Sequence, residues 1–180
     1  MNDAHRRKKH PELVRTQLVE SAKKLALANG LAAVGVEAVA ADAGVTKGGL
    51  FYHFPNKQAL IDAVFQHLLE EFGADLEARM AADPEPSGRF TRAYVQSVFE
   101  TGAEEQWGAL WIATLSDRDL RQTWGKWLAA QLSRHGEDDV ALENARFAAD
   151  GVWLGQLSGV FPQRTDALKQ QLINMTRPAK

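Results

Sequence analysis

Apolar residues return at every third or fourth position along almost the whole chain, and no stretch alternates strictly with β-branched residues as a half-buried strand would. That spacing puts side chains on one face of a 3.6-residue spiral, so the chain reads as all-α, with about nine helices. Glycines and prolines set the boundaries. Pro11 suits a first helical turn and Asn29-Gly30 ends that helix, which carries Val14, Leu18, Ala22 and Leu25 on one face. A short helix over 36–43 stops at Gly44, and another over 47–54 is capped by Thr46 and closed by Pro55. Asn56 caps a long helix that reaches Met80 with Leu60, Val64, Leu68, Phe72 and Leu76 as its stripe. At 1.5 Å per residue it spans roughly 35 Å, enough to reach from one domain into another. The run Asp83-Pro84-Glu85-Pro86-Ser87-Gly88 reads as a connector. Five helices follow it, near 89–100, 104–116, 118–135, 139–158 and 164–176, with Ser116 or Asp117 and Asp138 as N-caps.

The 180 residues are 45% hydrophobic, enough to bury a core in one large or two small domains. The net charge of -2 hides an asymmetry: residues 1–57 hold nine Lys/Arg against five Asp/Glu, net +4, and residues 58–180 hold twelve against eighteen, net -6. The two parts therefore face different partners. With no cysteine, the chain has no disulfide frame, thiolate zinc site or cysteine nucleophile, and its five histidines are too scattered to suggest a metal. The basic run His5-Arg6-Arg7-Lys8-Lys9-His10 precedes no apolar signal core, and no window offers ~18 uninterrupted apolar residues, so the expectation is a cytoplasmic protein without a membrane partner. No Gly-x-Ser-x-Gly, no His-Glu-x-x-His and no glycine-rich phosphate loop after a strand is present. An enzyme is not expected, and neither is a cofactor or a catalytic residue.

One segment carries the function. A short helix, a turn centred on Gly44 and a second short helix form a helix-turn-helix pattern, whose second helix enters the DNA major groove. The exposed side of that second helix offers Lys47, Tyr52 and His53, flanked by Lys57, and so presents cations and hydrogen-bond donors with almost no acid. Gly48 and Gly49 cost a helix about 1 kcal/mol each against alanine, and either let the backbone approach bases and phosphates or merely fray the first turn. Many helical hairpins share such a turn. The pattern taken alone therefore also fits a helical module that binds a small molecule and never touches DNA.

The stretch Val39-Ala40-Ala41-Asp42-Ala43-Gly44-Val45-Thr46-Lys47-Gly48-Gly49-Leu50-Phe51-Tyr52-His53-Phe54-Pro55-Asn56-Lys57 resembles the TetR family of one-component transcriptional regulators. The resemblance implies a DNA-binding domain over 1–55 with a basic N-terminal arm, and a ligand-binding and dimerisation domain over 56–180, the helix from 56 linking the two. It further implies a homodimer that represses at a palindromic double-stranded operator until a small-molecule inducer releases it. By the same resemblance Thr46 is cap and phosphate contact, Lys47 and Gly48 lie near the bases, Tyr52 and His53 reach phosphate, and Lys57 anchors on the backbone. Two positions depart from the family. Phe51 stands where a tyrosine is frequent, and Val34-Gly35 replaces a Ser or Thr that caps the second helix and touches phosphate. The run from Arg6 to Lys9 either compensates along the phosphates or the minor groove, or is a solvated tail.

All five tryptophans follow the connector. Trp107 and Trp111 share one helical face, Trp124 and Trp127 another, and Trp153 sits on the penultimate helix. Aromatics at such spacing are either ordinary core or the wall of a ligand site. Tryptophan faces attract flat or cationic molecules, and Glu104, Glu105 and Asp150 place carboxylates within a turn of them. The stretch Ala148-Ala149-Asp150-Gly151 with its aromatics also resembles family members that respond to lipophilic, often cationic, drugs and dyes. Trp107, Trp111, Asp150 and Trp153 are thus the candidate ligand residues. The last two helices carry Leu142, Ala145, Ala149, Val152 and Leu157, then Leu168, Leu172 and Met175, apolar surface for a two-fold contact or for packing within the chain.

Overall fold

The computed structural model describes residues 11–31, 34–101, 111, 114–160 and 162–177. Among them stand eight helices and no strand: α1 Pro11–Asn29, α2 Val36–Asp42, α3 Lys47–His53, α4 Lys57–Ala82, α5 Arg89–Thr101, α6 Arg118–His135, α7 Val140–Leu157 and α8 Thr165–Met175. Residues 111 and 114–116 are helical too, and belong to the helix expected over 104–116, the rest of which lies outside the described residues. The chain divides between Leu68 and Leu69, inside α4, into two compact units. No helix of the described residues is long and apolar enough to cross a membrane.

The first unit packs α1, α2, α3 and the start of α4 around Leu18, Ala22, Val39, Leu50, Phe54, Leu60 and Val64, all buried. Gly30 and Gly44 end α1 and α2 in the left-handed region, at φ 79 and 66. An L-residue there pays for the close approach of its Cβ to the next carbonyl. Thr46 Oγ1 accepts from the Gly49 amide at 3.0 Å, so the expected cap of α3 is formed. Asn56 Oδ1 does the same for Ala59 at 2.8 Å and starts α4. At the start of α2, Gly35 offers no side-chain cap and Val34 is buried. That helix begins without a side-chain hydroxyl at its cap. Glu20 on α1 meets His67 Nε2 on α4 at 2.7 Å and Lys23 at 2.9 Å, tying the two helices together.

In the second unit α5 is the central element. Phe90, Ala93 and Tyr94 join Leu76 and Met80 in one cluster, and Val95 and Phe99 join Ala145, Ala149, Leu172 and Ile173 in another. Buried charge fastens the start of α5. The Glu137 carboxylate accepts from the Phe90 and Thr91 amides at 2.7 and 2.8 Å, a cap delivered from a distant segment to the orphan donors of the first turn. Arg92, 2% exposed, donates to Asp83 Oδ2, to the Ser87 carbonyl and to both oxygens of Thr176, so it pins the connector and the end of α8 to one side chain. Gly88, at φ 68, sits against Thr176, whose carbonyl oxygen would lie 2.2 Å from an added Cβ. Asp117 caps α6 as expected, but α7 is capped by Asp139 rather than Asp138, its carboxylate accepting from Ala141 at 2.7 Å. A cap must sit directly before the first helical residue, and α7 starts at Val140.

Candidate nucleic-acid interface and ligand site

The turn at Gly44 sets α3 beside α2 with Leu50 and Phe54 turned into the core and the opposite side open. Tyr52 is 80% exposed and meets the half-buried His53 ring edge-on at 5.1 Å. Thr46, Lys47, Gly48 and Lys57 are exposed, and Gly49 is half-buried. The first unit therefore brings all seven of these candidates to α3 and its flanks. A Cβ on Gly48 would meet nothing nearer than Thr46 Oγ1 at 4.0 Å, and one on Gly49 would press that oxygen at 3.3 Å. Gly49 thus has a reason inside the fold: a side chain there crowds the cap. The basic run Arg6 to Lys9 lies outside the described residues.

One feature of this face differs from the expectation of almost no acid. Glu37, on the first turn of α2, receives the Lys47 ammonium at 2.6 Å. That hydrogen bond, with help from the Glu37 backbone amide, holds the carboxyl below the ordinary glutamate range. The same ammonium lies 5.9 Å over the Phe51 ring, which gives that residue a contact of its own. At the other end of α2, Asp42 takes Lys24 at 2.7 Å. Both pairings depend on how α1 and α3 cross α2.

The second unit assembles an aromatic cluster from four segments. Trp124 and Trp127 of α6 stack at 5.3 Å, Phe72 of α4 lies 6.1 and 5.6 Å from them, and Trp111 meets Trp124 edge-on at 4.9 Å. Tyr94 of α5 stands edge-on to Phe72 at 6.0 Å, and its hydroxyl donates to Asp150 Oδ1 of α7 at 2.7 Å. Burial pushes the Asp150 carboxyl up to about 6, against the opposing pull of the Tyr94 hydrogen bond and the Arg146 charge. Burial and the same carboxylate push the Tyr94 phenol well above its usual range. A carboxylate held at the edge of a ring cluster, partly short of hydration, suits a flat organic cation. Of the four ligand candidates, Trp111 and Asp150 join this cluster, Trp153 is half-buried three residues further along α7, and Trp107 lies outside the described residues. Phe72, Tyr94, Trp124 and Trp127 were not among the candidates. Their spacing along the chain is that of ordinary core, and only the packing of α4, α5 and α6 shows them together.

The last helices also differ in detail from their reading as one apolar surface. Leu172 is 4% exposed and belongs to the core with Ala145 and Ala149, so these residues pack within the chain. On α7 the apolar side chains left in solvent are Val140, Phe147 and Leu154, 68, 67 and 52% exposed. They recur every seven residues and form one stripe along the helix.

Comparison with known proteins agrees with this architecture. Residues 18–64 match the family described as "Bacterial regulatory proteins, tetR family", and residues 88–177 match "Tetracyclin repressor-like, C-terminal domain". The HTH-type transcriptional regulator BetI of Ectopseudomonas mendocina is 28% identical over 81% of this chain and 83% of its own, and that of Vibrio parahaemolyticus 24% identical over 91% and 89%. Among solved structures, the multidrug binding protein EbrR complexed with malachite green superposes with a TM-score of 0.68 at 24% identity, covering 92% of this chain and 98% of its own. A transcriptional regulator of Streptomyces coelicolor A3(2) reaches 0.71 at 17% identity, over 92% and 99%. With a helix-turn-helix built as described and both domain profiles matched in order, the chain belongs to the tetR family of bacterial regulatory proteins and is a DNA-binding transcriptional regulator, not an enzyme.

Proposed function

We propose that this regulator is a cytoplasmic repressor that binds a palindromic operator as a homodimer through α3 and leaves it when a flat, lipophilic cation enters the second unit. The observation that carries the ligand class is the Asp150 carboxylate, bonded to Tyr94 at the margin of the Phe72, Trp111, Trp124 and Trp127 rings. Ring faces supply stacking and cation–π attraction, and the carboxylate supplies the counter-charge. EbrR, a neighbour in fold, was solved with malachite green, a molecule of this kind. In this reading the division of the chain follows the expected roles, residues 1–55 reading DNA and 56–180 holding ligand and partner. Thr46, Tyr52, His53 and Lys57 contact the DNA backbone, and Lys47 reaches a base edge with the side-chain-free Gly48 beside it. Release requires that the ligand bind better to a conformation in which the two α3 helices no longer stand about one DNA turn, ~34 Å, apart. Because α4 runs without a break through both units, it is the lever in this scheme.

Malachite green should quench the tryptophan fluorescence over the same concentrations at which it dissociates a duplex selected by the protein from a random pool. Quenching that leaves the complex intact would remove the release mechanism. For the dimer, the exposed stripe Val140, Phe147 and Leu154 is proposed to lie against a second copy of itself, because a heptad-spaced apolar face needs cover. Phe147→Glu should then sediment as a folded monomer with little operator affinity. A Phe147→Glu dimer of unchanged stability would put the interface elsewhere.

A further inference from the structure

The Glu37–Lys47 pair is not explained by stability. Both side chains are largely exposed, 72 and 57%, and an exposed ion pair contributes little to folding. Its cost to DNA binding, in contrast, is direct. A carboxylate within 2.6 Å cancels the charge of a lysine on the helix that faces the phosphates. A protein whose only need were affinity would do better with any neutral residue at position 37. The geometry instead restricts Lys47. Its ammonium is held from one side by a carboxylate on α2 and lies 5.9 Å over the Phe51 ring on α3, so two contacts bias where the end of a long, flexible and exposed side chain sits. Lys47 is the first residue of α3, and the N-terminal residues of a recognition helix are those that meet base edges.

We propose that Glu37 is a specificity-determining residue: it aims the Lys47 ammonium at a base edge and denies its charge to the phosphates of unrelated DNA. The proposal rests on the reading of α3 as the recognition helix. On random duplex the paired lysine releases no counterion and adds nothing. On the operator a guanine edge, with its O6 and N7 acceptors, takes the ammonium while Glu37 keeps one of its three protons. Glu37 touches Lys47 and no base in this scheme, so it acts as a positioning residue.

The test uses the protein in its native assembly state, the duplex that wild type selects from a random pool, a scrambled duplex of the same composition, and all single base-pair changes of the selected site. Lys47→Ala identifies the base pair whose preference Lys47 governs. Glu37→Gln should lower discrimination at that pair about tenfold and leave the other positions within roughly twofold, while the salt slope on scrambled duplex steepens by about 0.9, the release expected for one freed cation. Glu37→Asp keeps the charge but shortens the reach, and should lose the same discrimination. Uniform loss or gain at every base pair in Glu37→Gln, or wild-type discrimination in Glu37→Asp, overturns the proposal, since Glu37 then acts only as a charge. A Lys47→Ala protein with no position-specific defect overturns it as well, by assigning Lys47 to the backbone. A wild-type protein that selects no duplex removes the recognition reading itself, a separate failure.

Discussion

In the first unit the polar groups of interest face solvent and are held by residues close in the chain: Thr46 by Gly49, Asn56 by Ala59, Lys47 by Glu37. In the second they are buried and held by residues far away, Glu137 by Phe90 and Thr91, Arg92 by Thr176, Tyr94 by Asp150, across 46 to 84 positions. The two arrangements do the same kinds of work at different cost. Thr46 and Glu137 both satisfy the orphan amides of a helix start, yet one is a surface hydroxyl beside its own helix and the other a charge taken out of water. A surface contact can be remade with a partner at little expense, which suits a face that must exchange water and ions for DNA. A buried network resists rearrangement, and a ligand that disturbs it changes more than its own surroundings.

That contrast is open to measurement. Glu137→Ala should have the largest effect, about 3 to 5 kcal/mol of unfolding free energy, because it strands the α5 amides and leaves the buried Arg146 short of its counter-charge. A loss under 1 kcal/mol in urea titration would mean that water replaces the carboxylate and that the second unit is not tied as tightly as described.

Asp150 should come next, and its sign is opposite to that of the surface acids. Its folded carboxyl titrates near 6, above its ordinary value of 3.8, so between those limits the folded state keeps a proton that the unfolded chain has lost. Its contribution is fully present below about pH 4 and declines as pH rises through 6, by roughly 2 to 3 kcal/mol. Glu20, Asp75, Asp83 and Glu100 are held below their ordinary range and contribute in the other direction. The test is therefore the difference between wild type and Asp150→Asn, whose stability should gain on wild type between pH 4 and 7. A cationic dye needs the ionised form, so its wild-type affinity should rise from pH 5 to 7 by about tenfold while that of a neutral dye stays level. Parallel pH curves for wild type and Asp150→Asn would place the titration elsewhere.

The smallest effect is expected at Thr46. Thr46→Ala should cost about 1 kcal/mol, the usual value of an N-cap, with operator affinity falling further than stability if the same hydroxyl also meets phosphate. Equal losses in the two measurements would leave Thr46 as a cap alone.

The boundaries of α1, α3 and α4 could be read directly, because each depends on residues within a turn of it: Pro11 and Gly30, Thr46 and Pro55, Asn56. The exposed face of α3 was legible for the same reason, since a seven-residue helix with Leu50 inward leaves Lys47 and Tyr52 on the side away from the core. Position along the chain also marked where tryptophans concentrate and placed Asp150 near them. It did not show that Trp124 and Trp127 share Phe72 and Tyr94, that Asp150 bonds to Tyr94, that Leu172 belongs to the core while Phe147 does not, or that Glu37 holds Lys47. Local sequence determines helices, caps and turns, because hydrogen bonds over three or four residues need no knowledge of the rest of the chain. Which helix faces meet is decided by packing, where several apolar stripes of similar width compete and each buried charge must find a partner that sequence separation does not reveal.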